Sequence, residues 1–311
     1  MIESLSHGIH CIDTGYHRPQ LAAIYLVADD GEAALIETGT VPTLPTLLAS
    51  LNQCGVSLEQ VRWIMPTHVH LDHAGGAGAL LAHCPNATLV VHPQGARHLI
   101  DPSRLIAGSA AVYGEQGVRE MYGDIVPAPA ERVRQAPDGS RWALGKRELL
   151  IRDTPGHARH HYSIWDEASR GWFCGDVHGI GYRELYCQGK PFLIPTTTPV
   201  QFEFEPMLSS LALLMAAEPR YLYLTHFGRI EASTGHTASL ERQLREYLRL
   251  TRASAPGDDR EQLLTAALIE YTVALLRSAG STRGDTELRE LLAMDMRLNA
   301  QGLLVWLQRQ R

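Results

Sequence analysis

One stretch, residues 67–76, constrains the fold of this chain more than any other part of the sequence. It is preceded by an apolar run, Val61–Met65, of the length and composition of a buried strand. It is followed by a run rich in glycine and alanine, residues 74–82, which is typical of a helix. The stretch is therefore predicted to form a turn from a buried strand into a helix, as in α/β folds.

This turn carries three histidines and an aspartate within six positions: His68, His70, Asp72 and His73. Alternate residues of an extended segment point to one side, so His68 and His70 can face the same point. Asp72 and His73 reach a neighbouring point from the first helical turn. The alternative is that these are ordinary core or surface histidines, since the chain has fifteen. No helix face or strand face explains the spacing, however, and it predicts a metal site.

Three further apolar strands are predicted to end in a potential ligand. Residues 148–152 lead through a Pro-Gly turn to His157. Residues 172–174 lead through a glycine to Asp176, and residues 221–224 lead to His226. The sequence thus predicts four strand ends that each deliver at least one ligand.

In these motifs and in their order, the first three quarters of the chain resembles the metallo-β-lactamase superfamily, and within it the glyoxalase II and lactonase branch. The resemblance implies an α/β fold, a four-layer αβ/βα sandwich with an added C-terminal helical region. We therefore expect a catalytic domain over residues 1–232 and a helical extension over residues 233–311.

The resemblance also implies a binuclear site with two divalent metal ions. One ion would be held by His68, His70 and His157, the other by Asp72, His73 and His226, with Asp176 bridging them. Nitrogen and oxygen ligands favour zinc, and iron or manganese would also fit. Asp72 is expected to orient the nucleophile and accept a proton. His161 is expected to hydrogen-bond a ligand without binding metal, and His160 to face solvent.

Several residues differ from the motifs of particular relatives, and these differences disfavour some of the activities known in the superfamily. The β-lactamases carry a cysteine where this chain has Asp176, which disfavours antibiotic hydrolysis. Flavo-diiron oxidoreductases carry a glutamate where this chain has His70. The family usually shows an aspartate where this chain has Glu37. The tyrosine that lactonases place shortly after the bridging aspartate is absent, so lactone specificity is not supported.

The chemistry expected of such a site is hydrolysis, because a hydroxide shared by two cations is a nucleophile near neutral pH. The predicted substrate is a small ester, thioester or lactone-like molecule. Three alternatives stay open: a mononuclear iron persulfide (sulfur) dioxygenase, a regulatory protein of the same fold, and, as a minor reading, a small phosphodiester hydrolase.

Composition indicates which binding partners and which cellular location to expect. The net charge of −6 and the pI near 6.2 disfavour nucleic-acid binding, which needs clustered Lys and Arg. Five cysteines, without a CxxC pair, disfavour a disulfide framework. The apolar runs are too short for a membrane span and no leader pattern is present, so we expect a cytoplasmic protein that acts on a small molecule and binds no membrane.

Three regions are expected to set specificity and assembly. Residues 95–124 have helical spacing and, in relatives, cover the mouth of the site. Residues 181–199 form a predicted loop. The candidate substrate contacts are His178, Tyr182, Arg183 and Tyr186, with plain loop packing as the alternative. The C-terminal helices, predicted over 239–251, 259–278, 286–292 and 296–308, are a candidate homodimer surface.

Overall fold

The computed structural model describes residues 1–310, which divide into two compact units. The first comprises Met1–Asp153, His160–Gly175 and Glu218–Glu231. The second comprises Thr154–Arg159, Asp176–Ala217 and the described residues from Ala232 on. Because each unit is built from three separate segments, the boundary between residues 232 and 233 stays a prediction.

The first unit contains a seven-stranded sheet in the order β1-β2-β3-β4-β5-β6-β7, which is antiparallel up to β4 and parallel from there. Its strands are β1 (Ile2–Ser4), β2 (Ile9–Asp13), β3 (Ala23–Asp29), β4 (Glu32–Ile36), β5 (Val61–Met65), β6 (Thr88–Val91) and β7 (Val133–Gln135). The helices of this unit are α1 (Leu44–Gln53), α2 (Leu71–Ala74), α3 (Ala77–His83), α4 (Ala96–Ile100) and α5 (Ser103–Tyr122).

A six-stranded sheet in the order β13-β12-β11-β10-β9-β8 completes the first unit. Its strands are β8 (Arg141–Leu144), β9 (Arg147–Asp153), β10 (Tyr162–Asp166), β11 (Gly171–Gly175), β12 (Tyr221–Leu224) and β13 (Gly228–Glu231). The predicted ligand-bearing strands correspond to β5, β9, β11 and β12, so these four predictions are confirmed as secondary structure.

Two apolar layers hold the first unit together. One contains Leu47, Leu80 and Val91, where helices cover one face of the seven-stranded sheet. The other contains side chains from both sheets, including Tyr25, Phe173 and Tyr223. The Tyr25 hydroxyl donates a 2.6 Å hydrogen bond to the carbonyl of Leu224, which ties a strand of one sheet to a strand of the other. Because the strands are packed on both sides of these apolar layers, the strand ends that carry the candidate ligands are held in place.

The second unit is helical, with α6 (Phe204–Ala216), α7 (Thr234–Ala253), α8 (Arg260–Ser278) and α9 (Asp285–Arg309). The absence of strand signals beyond Gly228 predicted helices here, although strand β13 (Gly228–Glu231) was missed. The two helices predicted over 286–292 and 296–308 are one continuous helix, α9, which corrects that expectation. No glycine or proline separates them, and Asp295 between them is buried beside the hydroxyl of Tyr182. No helix among residues 1–310 is long and apolar enough to span a membrane.

Candidate metal centre

The histidine-rich turn has the predicted form. Strand β5 ends at Met65, the chain bends at Thr67 and His68, and helix α2 begins at Leu71. Asp72 and His73 therefore lie in the first turn of a helix, directly after His68 and His70. His68 and His73 are fully buried, whereas a quarter of the Asp72 side chain is exposed.

Asp72, His73 and His226 form a compact cluster within the first unit, and one ligand atom of each lies within 4.8 Å of the others. Asp72 Oδ2 is 3.5 Å from His73 Nε2 and 3.4 Å from His226 Nε2. His226 comes from the turn after β12 and is distant in sequence from the other two. The structure therefore brings these three residues together, and their role as metal ligands stays a prediction.

The hydrogen bonds of the two imidazoles fix which nitrogen carries the proton. His226 Nδ1 lies 2.8 Å from the carbonyl oxygen of Leu21, and His73 Nδ1 lies 3.0 Å from Glu37 Oε1. Both partners only accept hydrogen bonds, so both Nδ1 atoms must donate. In its neutral form, each ring therefore turns an unprotonated Nε2 toward the Asp72 carboxylate. Such facing lone pairs repel one another unless a cation or a proton lies between them, so this donor set fits a divalent cation.

Glu37 orients this cluster from below. Its buried carboxylate accepts hydrogen bonds from the backbone N–H of Thr67 at 3.0 Å, the Thr67 hydroxyl at 2.6 Å and the Thr225 hydroxyl at 2.9 Å, in addition to His73. The Glu37 backbone has a φ of +71°, which is uncommon for a residue with a side chain. Four hydrogen bonds hold it in this conformation, and they connect the His73 turn to the end of β12.

His68 and His70 form a second group in the first unit, with His68 Nε2 only 2.8 Å from His70 Nδ1. The Thr67 hydroxyl gives its proton to Glu37, so it must accept from His68 Nδ1, which lies 3.1 Å away. His68 Nε2 is thereby unprotonated and faces His70. Both residues therefore present nitrogen ligands to the same point.

His157 and Asp176 form the third group, which lies in the second unit. His157 Nε2 is 3.5 Å from Asp176 Oδ2. The Thr196 hydroxyl donates to the backbone carbonyl of Asp176 at 2.8 Å, so it accepts from His157 Nδ1 at 3.0 Å. As with His73 and His226, a proton on Nδ1 means that the neutral ring of His157 turns an unprotonated Nε2 toward a carboxylate. Thr196 was not identified from the sequence, because a threonine in an irregular loop carries no motif.

The C-terminal helix holds the segment that carries Thr196. The Asn299 side chain on α9 accepts from the backbone N–H of Thr197 and donates to the carbonyl of Pro195. A Cβ added to Gly302, one turn further on, would lie only 1.7 Å from the Thr197 carbonyl oxygen. The close approach of α9 to this loop therefore requires glycine at position 302.

The remaining predicted residues occupy different surroundings. His161 is fully buried, with its ring centre 5.1 Å from that of His68, and its supporting role stays a prediction. His160 was expected to face solvent, which is wrong: it is buried, and the backbone N–H of Val69 points at its Nδ1. It belongs to the interior beside the turn instead.

The four candidate substrate contacts also differ in exposure. His178 is fully buried 3.1 Å from the Thr237 hydroxyl, and burial lowers its pKa to about 4, so it stays neutral. Tyr182 is buried as well. Arg183 and Tyr186 are half-buried and contact each other through a 3.0 Å hydrogen bond. The interior position of His178 and Tyr182 is typical of packing residues, and a substrate role for any of the four stays a prediction.

An aromatic neighbour of Asp72 was missed in the sequence. Burial and, after it, the charge of Asp72 raise the pKa of Tyr122 far above its ordinary value. Tyr122 lies at the end of α5, in the segment expected near the mouth of the site, and packs with Leu71, Val118 and Tyr16. Its helical spacing alone could not distinguish it from a core residue.

Comparison with known proteins agrees with this geometry. The family model of the metallo-β-lactamase superfamily matches residues 17–226, which include every predicted ligand. The chain belongs to the metallo-β-lactamase superfamily. Its predicted fold class, a four-layer αβ/βα sandwich with an added helical region, is confirmed by family and structural neighbours.

Two curated relatives illustrate the branch. The metallo-β-lactamase fold-containing protein ST1585 of Sulfurisphaera tokodaii is 24% identical over 228 residues, which cover 72% of this chain and 79% of the relative. A hydroxyacylglutathione hydrolase of Albidiferax ferrireducens is 27% identical over 253 residues, covering 74% and 84% respectively. The relatives therefore include a hydrolase of the glyoxalase II type, as the predicted resemblance implies, and the metallohydrolase class is confirmed.

Solved structures confirm the fold over nearly the whole chain. The metallo-β-lactamase family protein TTHA1429 from Thermus thermophilus has a TM-score of 0.70 at 20% identity, covering 99% of this chain and 95% of its own. The archaeal protein ST1585 has a TM-score of 0.66 at 21% identity, covering 96% and 99%.

Proposed function

We propose that this protein is a binuclear metallohydrolase that cleaves a small thioester or ester. The cations would be bound by the seven predicted ligands, in the three groups described above. The observation that carries the proposal is the Asp72 cluster, where two imidazoles fixed by Glu37 and Leu21 direct unprotonated nitrogens at a carboxylate. Zinc is the metal we favour, because the donors are nitrogen and oxygen only.

When bound, a pair of divalent cations would acidify a shared water and polarise the scissile carbonyl. The residues of this chain would perform the other steps. Asp72 is the most exposed member of its cluster, so it can contact a substrate and accept a proton. Glu37 keeps the proton of His73 on Nδ1 and thereby keeps the ligand atom available. Thr196 does the same for His157.

The metal content of the purified protein tests the site. We expect about two equivalents of transition metal per chain by elemental analysis, and about one fewer in the variant His226→Gln. His83→Gln is the matched control, because His83 is exposed at the end of α3, and it should keep the full content. Less than one equivalent in the unmodified protein, with no gain after reconstitution, contradicts the proposal.

A substrate panel tests the reaction. One curated relative is named as a hydroxyacylglutathione hydrolase, so a hydroxyacyl thioester of glutathione is the first substrate to measure. The panel should include simple esters, a phosphodiester and a glutathione persulfide. We expect thioester or ester hydrolysis that is lost with chelator and in His226→Gln. Oxygen uptake with the persulfide, without hydrolysis of any ester, would instead identify a dioxygenase. The predicted cytoplasmic location and homodimer stay predictions.

A further inference from the structure

A polar cleft of about 700 Å³ lies within the second unit and is not used by the proposed hydrolysis. Helices α6, α7 and α9 and the segment at Arg159 contribute to its walls. This volume lies in the range of small-molecule sites. Its charged and aromatic lining residues are Arg159, Arg245, Arg252, Arg309, Glu203, Glu205, Phe204 and Trp306.

The cleft carries an excess of positive charge. Four arginines against two glutamates leave a formal charge of +2 (4 − 2), in a chain whose net charge is −6. Glu203 is already paired: it accepts a 2.8 Å hydrogen bond from Arg159 Nε and lies 4.0 Å from Arg309. Arg309 also donates to the carbonyl of Phe202 at 2.6 Å. Two of the arginines are thus engaged by the protein itself.

The other two arginines, Arg245 and Arg252, have no ion-pair partner among residues 1–310. Each guanidinium instead lies over a buried aromatic ring, Arg245 at 5.6 Å from the centre of Phe204 and Arg252 at 5.5 Å from that of Trp306. Stacking on a fixed ring restrains the guanidinium and leaves its N–H edge available to an anion. Helix α7 therefore presents two restrained guanidinium groups, neither of which forms an ion pair with a carboxylate of residues 1–310.

Their spacing indicates the kind of anion. Arg245 and Arg252 are seven residues apart on one helix, which separates their Cα atoms by about 10 Å along the axis. Leu248 lies between them and also lines the cleft. A single carboxylate would leave one guanidinium uncompensated. A ligand with two or more linked phosphate groups can engage both, and its oxygens match the paired N–H donors of arginine.

We propose that this cleft binds a small molecule that carries a diphosphate or longer phosphate chain, held chiefly by Arg245 and Arg252. This site does not depend on the proposed hydrolase activity, because none of the seven predicted metal ligands lines the cleft.

Calorimetric titration of the full-length, metal-loaded protein with inorganic pyrophosphate and tripolyphosphate tests the proposal. We expect saturable binding that weakens as salt is raised, since the contacts are ionic. The double variant Arg245→Gln/Arg252→Gln should lose about tenfold or more in affinity, since a charged hydrogen bond is removed at each position. Both arginines are exposed, so the variant should fold, which a melting curve checks.

Arg242→Gln is the matched control, because it removes the same charge from an exposed position of α7 outside the cleft. It should leave the affinity unchanged. Pyrophosphate also chelates metals, so it could bind at the metal site instead of the cleft. In that case the double variant would bind it as tightly as the unmodified protein, which would overturn the proposal. Two further results would overturn it: no binding at millimolar pyrophosphate, or equally tight binding of succinate.

Discussion

The contact between α9 and the loop that carries Thr196 gives the sharpest test of the structure. In Gly302→Ala, the new methyl carbon would lie 1.7 Å from the carbonyl oxygen of Thr197, roughly half an ordinary contact distance. Both partners are backbone, so helix and loop must separate. Forced insertion of one methyl group into a packed interior costs about 1–3 kcal/mol, and this contact is severe enough for the upper end. Alanine returns about 1 kcal/mol through its higher helix propensity.

The net loss for Gly302→Ala is therefore about 2 kcal/mol, equivalent to a fall of roughly 3 °C in Tm for a chain of 311 residues. Scanning calorimetry of the metal-loaded protein measures it. Gly108→Ala is the matched control, since Gly108 is an exposed glycine inside helix α5 with nothing within 4 Å of an added Cβ. That variant should gain about 0.5–1 kcal/mol. If the Tm of Gly302→Ala is also equal to or higher than that of the unmodified protein, the close approach of α9 to the loop is refuted.

Three further predictions concern buried side chains. Glu37→Gln should lower the free energy of unfolding by about 2–4 kcal/mol, measured by chemical denaturation. The reason is that one amide oxygen cannot accept the hydrogen bonds that two carboxylate oxygens now accept. An unchanged denaturation midpoint would contradict this. Thr196→Val should weaken metal affinity about 10- to 100-fold, measured by competition with a chelator, because the hydrogen bond to His157 is lost. Thr196→Ser keeps the hydroxyl and should retain most of the affinity. An equal loss in both variants would mean that packing, and not the hydrogen bond, matters. Burial raises the pKa of Cys84 from 9.0 to about 11, so the unfolded chain loses this proton first as pH rises. Between pH 9 and pH 11 the free energy of unfolding should therefore fall by about 2 kcal/mol more than it does in Cys84→Ala, and parallel profiles of the two proteins would contradict this.

The ligand-bearing strand ends could be predicted because their signals are local. An apolar run such as Val61–Met65 indicates a buried strand by itself, and the histidines that follow have no other structural explanation. The same reasoning found β9, β11 and β12. It failed at α9, where the apolar pattern weakens near Asp295 although no residue interrupts the helix. It also failed at His160, since exposure depends on what packs above a residue.

The sequence by itself determined the family, the types of candidate ligand and the strand ends on which they lie, because each of these follows from neighbouring residues. Only the tertiary structure decided which nitrogen of each histidine is available. The proton of His73 is held by a residue 36 positions away, and that of His226 by a carbonyl 205 positions away. Hydrogen bonds over such separations arise only when the chain has packed. The same holds for the arginine cleft, where residues of α6 and α9 lie beside the two arginines of α7.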